Sequence, residues 1–183
     1  MNKKPYIIGI AGGTCSGKST AAEKLNEGLS AYKVVVINMD RYFKNPVPTT
    51  IAPVTRIEYV EHNHPDSLRL EDLYADFDKA IASKPDFLMV EGLFALHLDR
   101  IRERADLTVF VDLKSDERIV RRIRRHTQYG QTFDEVVNRY LDTVRYRHDE
   151  LIEPTRWHAD VVLNGTLDSN KGIAVLLAFL KSL

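Results

Sequence analysis

GIAGGTCSGKST, residues 9–20, begins as an apolar strand, breaks into glycines and ends on a lysine followed by two hydroxyls. Positions 12–19 match G-x-x-x-x-G-K-[ST] in full. The flanks fit as well: the apolar run YIIGIA (6–11) leads in, and a helical segment with Ala21, Ala22 and Leu25 leads out. Glycines let the backbone turn so that successive N–H groups point inward, and the following helix adds its partial positive charge. Such a cradle suits the phosphates of a nucleoside triphosphate. Its expected contacts are Gly12, Gly13, Thr14, Cys15, Ser16, Gly17, Lys18, Ser19 and Thr20. Lys18 can reach the β- and γ-phosphates, and the Ser19 hydroxyl can ligate Mg²⁺. Cys15 reads as a small residue that contributes only its backbone N–H.

Working outward, apolar β-branched runs alternate with helical spacing. VVVIN (34–38), FLMV (87–90), LTVFV (107–111) and DVVL (160–163) read as buried strands. Leu70, Leu73, Tyr74, Phe77 and Ile81 form one helical stripe; Phe133, Val136, Val137, Tyr140, Leu141 and Val144 form another, opened by the capping box Thr132-Phe133-Asp134-Glu135. The expectation is an α/β fold of the P-loop NTPase type: a doubly wound, parallel five-stranded sheet with helices on both faces and a helical lid. One kinase domain over 1–183 is expected, with an acceptor-side insert at 44–66 and an arginine helix and lid region at 117–150. An insert of that length reads as a functional loop or small hairpin. DSNKGIAVLLAFLKSL, from 168, reads as a capped final helix whose apolar face leaves a homo-oligomer open.

The chain has 183 residues with equal numbers of acidic and basic side chains, so any anion-binding function must be local. Neutral charge and the lack of aromatics among the arginines speak against a nucleic-acid partner. IAVLLAFL is too short to span a bilayer, and the lysines before the short run at the N-terminus do not make a secretory leader, so no membrane partner is expected. With one cysteine no internal disulfide forms, which suits a reducing, cytoplasmic setting.

In a doubly wound sheet, ligands collect at the carboxyl ends of the strands. Asp40 follows VVVIN and Glu91 follows FLMV. Asp40 is expected to be the base that accepts a proton from an attacking hydroxyl, with Tyr42 and Phe43 beside it as an aromatic wall; Glu91 is assigned to magnesium with Ser19. ERIVRRIRRH (117–126) carries five arginines, of which Arg118, Arg122 and Arg125 share a helical face. Arg122 and Arg125 are expected to meet phosphate when the site closes. The HNH run (62–64) lacks a third ligand and is not read as a metal site.

On these residues the chain resembles the uridine kinase family, within the wider phosphoribulokinase and uridine kinase group. MDRYFK resembles that family's DSFYK, HNHPDS its NFDHPDAF, VEGLFAL its EGILA, and IEPTRWHADVVLNG its IEPTKxxADVIIPxG. The resemblance implies ATP and Mg²⁺ as cofactors, Asp40 as base for a ribose 5′-hydroxyl, and a small-molecule acceptor pocket with Asn63, His64, Asp66, His97 and Arg139 near it. It also shows departures. His62-Asn63 stands where the family has FD, whose aspartate grips the ribose hydroxyls, and Arg139-Tyr140 stands where it has QY. In the lid motif His126 replaces an aspartate, and Tyr129 and Gln131 replace two arginines, a loss of charge that Arg139 offsets in part. The expected activity is transfer of the γ-phosphate to a hydroxyl of a uridine- or cytidine-like nucleoside. Nicotinamide riboside, pantothenate or a sugar are acceptor variants, and a non-catalytic nucleotide-binding regulator is the alternative. A GTPase switch is disfavoured because no N-K-x-D segment follows a strand.

Overall fold

The computed structural model describes residues 4–166 and 170–183. Along the chain run β1 (Tyr6–Gly12), α1 (Lys18–Gly28), β2 (Val34–Asn38), β3 (Thr49–Ile51), β4 (Glu58–Val60), α2 (Leu70–Ala82), β5 (Phe87–Glu91) and α3 (Asp99–Arg102). There follow β6 (Leu107–Asp112), α4 (Ser115–Thr127), α5 (Phe133–Arg139), α6 (Arg145–Arg147), β7 (Val161–Asn164) and α7 (Asn170–Leu180). Five strands pair in the order β2-β5-β1-β6-β7, all parallel. This is the P-loop NTPase arrangement expected from the sequence, with each strand run placed to within a residue.

Side chains alternate across a strand, so each buried strand feeds two cores. Ile7, Leu88, Val90 and Phe110 point to one face and pack with Leu73, Phe77 and Ala80 of α2. Ile8, Ile10, Met89 and Val109 point to the other and pack with Ala21, Ala22 and Leu25 of α1 and with Ile173, Leu176 and Leu180 of α7. Each fully buried Ile, Leu or Phe contributes roughly 1.5–3 kcal/mol to this two-sided packing. With both faces covered, the open ends of the strands are where a ligand can reach the chain. Among the described residues no helix is long and apolar enough to cross a membrane.

The insert at 44–66 holds an antiparallel hairpin, β3 paired with β4. The capping box at Thr132 and Glu135 is present in both directions. Beyond it, the expected helical stripe is only partly kept. Val136, Tyr140 and Val144 are buried, whereas Phe133 and Leu141 are exposed. Phe133 is the first residue of α5, and π turns at Tyr140–Val144 and His148–Ile152 widen the helix around α6, so from Tyr140 on, Leu141 included, the 3.6-residue period does not carry through. The cap expected at Asp168 and Ser169 lies outside the described residues; α7 itself begins at Asn170.

Candidate active site

β1 ends in the loop 12–17, and α1 starts directly from it. Gly17 caps α1 with φ of 99°, a left-handed conformation that strains any residue with a Cβ, and it offers no side-chain hydrogen bond to the helix. The first N–H groups of α1 therefore stay open to an external acceptor. Gly13 is needed for a different reason: a Cβ there would fall 2.5 Å from the Arg118 guanidinium and 3.0 Å from the His148 ring. Arg118 and His148 thus lie directly on the loop.

The register of β5 against β1 and β2 sets Glu91 beside Ile10 and Asn38, level with the loop. Glu91 is 3% exposed, and the Ser19 hydroxyl donates to its carboxylate at 3.3–3.4 Å. Burial pushes the Glu91 carboxyl above its usual range, Lys18 pulls it back, and Asp40 pushes it up further. Ser19 and Glu91 offer hard oxygen donors, the type that Mg²⁺ takes. Among the described residues no cluster of three His, Cys, Asp or Glu side chains could hold a metal unaided. An ion at this pair would be completed by phosphate oxygens and water. Asp40 sits two residues past β2 in a tight turn, its N–H bonded to the Asn38 side chain at 2.8 Å and its carboxylate exposed.

The inward face of α4 buries arginines: Arg118 is 5% exposed and Arg122 is 7% exposed. Arg122 donates to the Thr14 hydroxyl at 2.8 Å, and burial lowers its guanidinium to about 10. Arg118 Nε and one terminal nitrogen, and the Nε atoms of Arg122 and Arg139, are buried without a hydrogen-bond partner. Those of Arg118 and Arg122, desolvated beside a phosphate-type loop, are poised for an anion.

The opposite wall comes from the hairpin and the helix it docks on. Arg139 donates to the Val60 carbonyl and to His62 Nδ1, the latter at 2.9 Å. Phe43 meets the His62 ring edge-on, centroids 5.0 Å apart. Buried Glu61 receives Arg147 Nε at 3.0 Å and the Asn63 N–H at 2.6 Å. Asp142 receives the hydroxyls of Thr55 and Tyr59, both at 2.8 Å. These bonds clamp β3 and β4 to the 139–147 stretch.

Between the two walls lies a cavity of about 380 Å³. It gathers the expected contacts Thr14, Cys15, Lys18, Asp40, Phe43, Asn63, Arg122, Arg125 and Arg139 with His62, His126, Tyr129 and Gln131, where the chain departs from the family motifs, and adds Leu93. Ser19 and Glu91 open instead onto a smaller adjoining recess with Asn38 and Arg41. Four other expected acceptor contacts are turned away. The Tyr42 hydroxyl donates to Asp76 on α2 at 2.9 Å, and burial together with that bond raises it to about 12. His64 accepts from the Asp66 N–H and caps a short turn, while Asp66 itself faces solvent. His97 packs edge-on against Phe94. Sequence reasoning missed Arg118 as a loop contact, together with His148 and Glu61. The sign of Arg118 in the sequence is the helical face it shares with Arg122 and Arg125, and no motif marks the other two.

A model of the Phosphoribulokinase / Uridine kinase family matches residues 52–170. A uridine kinase of Staphylococcus aureus (strain JH9) is 33% identical over 205 aligned residues, which cover 99% of this chain and 98% of the relative. A uridine kinase of Bacillus pumilus (strain SAFR-032) is 32% identical, covering 89% and 88%. Among solved structures, shikimate kinase from Bacteroides thetaiotaomicron aligns with a TM-score of 0.58 over 96% of this chain and 98% of that one. Sequence identity there is 18%, so the likeness is one of fold.

Proposed function

The chain belongs to the Phosphoribulokinase / Uridine kinase family, a family of kinases, and from that premise we propose that it uses ATP and Mg²⁺ to phosphorylate a hydroxyl of a nucleoside-like small molecule. The observation that carries the reading is one cavity lined by both Lys18 of the loop and the exposed carboxylate of Asp40. A phosphate cradle and a free base share the space between donor and acceptor.

The loop 12–19 and the open N-terminus of α1 receive the triphosphate, and Lys18 neutralises its β- and γ-oxygens. Arg118 and Arg122 add positive charge from the α4 side. Mg²⁺, when bound at Ser19 and Glu91, would orient the β- and γ-phosphates and offset their charge. Asp40 takes the proton of the acceptor hydroxyl as its oxygen attacks the γ-phosphorus in line and ADP leaves. Arg125 and the turn 128–132 close over the cavity and exclude water, which limits hydrolysis. The nucleoside reading comes from the names of the two relatives; the single cysteine, Cys15, fits a cytoplasmic enzyme.

The test is ADP formation with Mg²⁺ over a panel of uridine, cytidine, adenosine, nicotinamide riboside, pantothenate, glycerate and ribulose 5-phosphate. Acceptor-dependent ADP formation supports the kinase. ATP that binds tightly and is never transferred to any member would instead identify a non-catalytic nucleotide-binding regulator.

A further inference from the structure

The cavity is lined by four cations, Lys18, Arg122, Arg125 and Arg139, against one carboxylate, Asp40. Among the described residues none of these three arginines forms an ion pair. The triphosphate accounts for those on the loop side. Lys18 is part of the loop, and Arg122 is bonded to Thr14 within it. Arg139 is anchored elsewhere, to Val60 and His62 at the exit of the hairpin.

Arg139 is half-buried, with its Nε buried and unpartnered. Glu61 is the nearby carboxylate, but its two oxygens are taken by Arg147 and by the Asn63 backbone. Glu61 acts on Arg139 as a nearby opposite charge, but a partly desolvated guanidinium with no ion pair of its own is stabilised further by an anion that reaches it. Of its neighbours, His62 offers a ring N–H and Asn63 an amide that both donates and accepts. Burial, then Arg139, lowers the His62 pKa, and because Nδ1 accepts from Arg139 the ring proton sits on Nε2. The Asn63 side chain is buried, lines the cavity and makes no hydrogen bond among the described residues. Paired sugar hydroxyls need somewhere to donate their protons, which a carboxylate provides best. This wall presents the N–H groups of Arg139 and His62; Glu61 and the Val60 carbonyl are engaged by Arg147 and Arg139, which among the described residues leaves the neutral Asn63 amide oxygen, and no carboxylate, as its free acceptor.

We propose that the acceptor carries its own anionic group, a carboxylate or a phosphate ester, held by Arg139, Asn63 and His62 on the hairpin side of the cavity. The inference rests on the kinase reading and narrows its acceptor to an anionic alcohol of nucleoside size.

Matched pairs test it: uridine against orotidine, nicotinamide riboside against nicotinate riboside, pantothenyl alcohol against pantothenate, glycerol against glycerate, ribulose against ribulose 5-phosphate. For each pair kcat/KM is measured with ATP and Mg²⁺, and binding is titrated with a non-hydrolysable ATP analogue present. The expected result is that in at least one pair the anionic member is favoured roughly tenfold or more. Arg139→Gln should remove the preference and Arg139→Lys should keep part of it. The carboxylate pairs and the phosphate pair separate the two anion sources. Arg139-dependent binding of an anionic member without turnover would uphold the anion site while removing the kinase reading. Turnover that favours neutral members, or ignores charge, would overturn the anion site and leave the kinase. Failure of every member to bind, or an Arg139→Gln change that weakens only the ATP analogue, would also overturn it.

Discussion

Asp40 follows β2 and Glu91 ends the neighbouring β5, and their surroundings differ. Asp40 is exposed and free to take a proton; Glu91 is buried against the Ser19 hydroxyl. His148 shows the same dependence on surroundings. It is 6% exposed, its Nε2 lies 3.1 Å from Glu153, and its Nδ1 has no partner. Burial, then Arg118, depresses it to about 4, while Asp149 and Asp112 oppose the shift. A histidine in the unfolded chain titrates near 6.5, so between about 4 and 6.5 unfolding takes up a proton. Stability from this group is therefore complete above that window and lost as pH falls through it. Between pH 7.5 and 5.0 its share is about 2 kcal/mol. His62 and His126, also lowered mainly by burial, act in the same direction. Urea unfolding at the two pH values should show His148→Phe losing less stability than the parent; equal losses would contradict the assignment. At this scale Lys18, Ser19 and Asp40 were legible because motif and strand end are local signals. His148 was not, because its contact with Gly13 joins residues far apart in the chain.

The hairpin of β3 and β4 and the helical stretch from α5 to α6 act as one element pair. Asp142 ties Thr55 and Tyr59, and Arg147 ties Glu61 and Thr50. The hairpin exit carries His62 and Asn63 into the cavity, so loosening the clamp should disturb the acceptor more than ATP. Asp142→Ala removes two hydrogen bonds to a charged group, each worth roughly 1.5–3 kcal/mol when well shielded and less at this partly exposed site. The expected outcome is a several-fold rise in acceptor KM with the ATP KM little changed, and faster amide exchange across 49–60. An unchanged acceptor KM would separate the hairpin from acceptor binding. The capping box and the 44–66 insert could be read from sequence, since turn residues and caps declare themselves locally. Where the hairpin docks could not, and the π turns that shift the helical period after Arg139 have no simple sequence sign.

Across the whole molecule, one parallel sheet with two apolar faces brings every strand's carboxyl end to the same edge. The fold was legible because strand alternation and the 12–19 motif agree, and parallel crossovers leave few topologies. The donor end of the cavity followed with it. The acceptor end did not: Tyr42, His64, Asp66 and His97 are near the site in sequence, but each is committed to another partner or to solvent. The central claim is that Asp40 activates an acceptor hydroxyl beside a nucleotide held by Lys18. The most direct measurement compares phosphate transfer and ATP affinity in the parent and in Asp40→Asn, with Lys18→Ala as the donor-side control. Transfer should fall by roughly two to four orders of magnitude in Asp40→Asn while ATP affinity stays nearly unchanged. Transfer by Asp40→Asn at the parent's rate would contradict it.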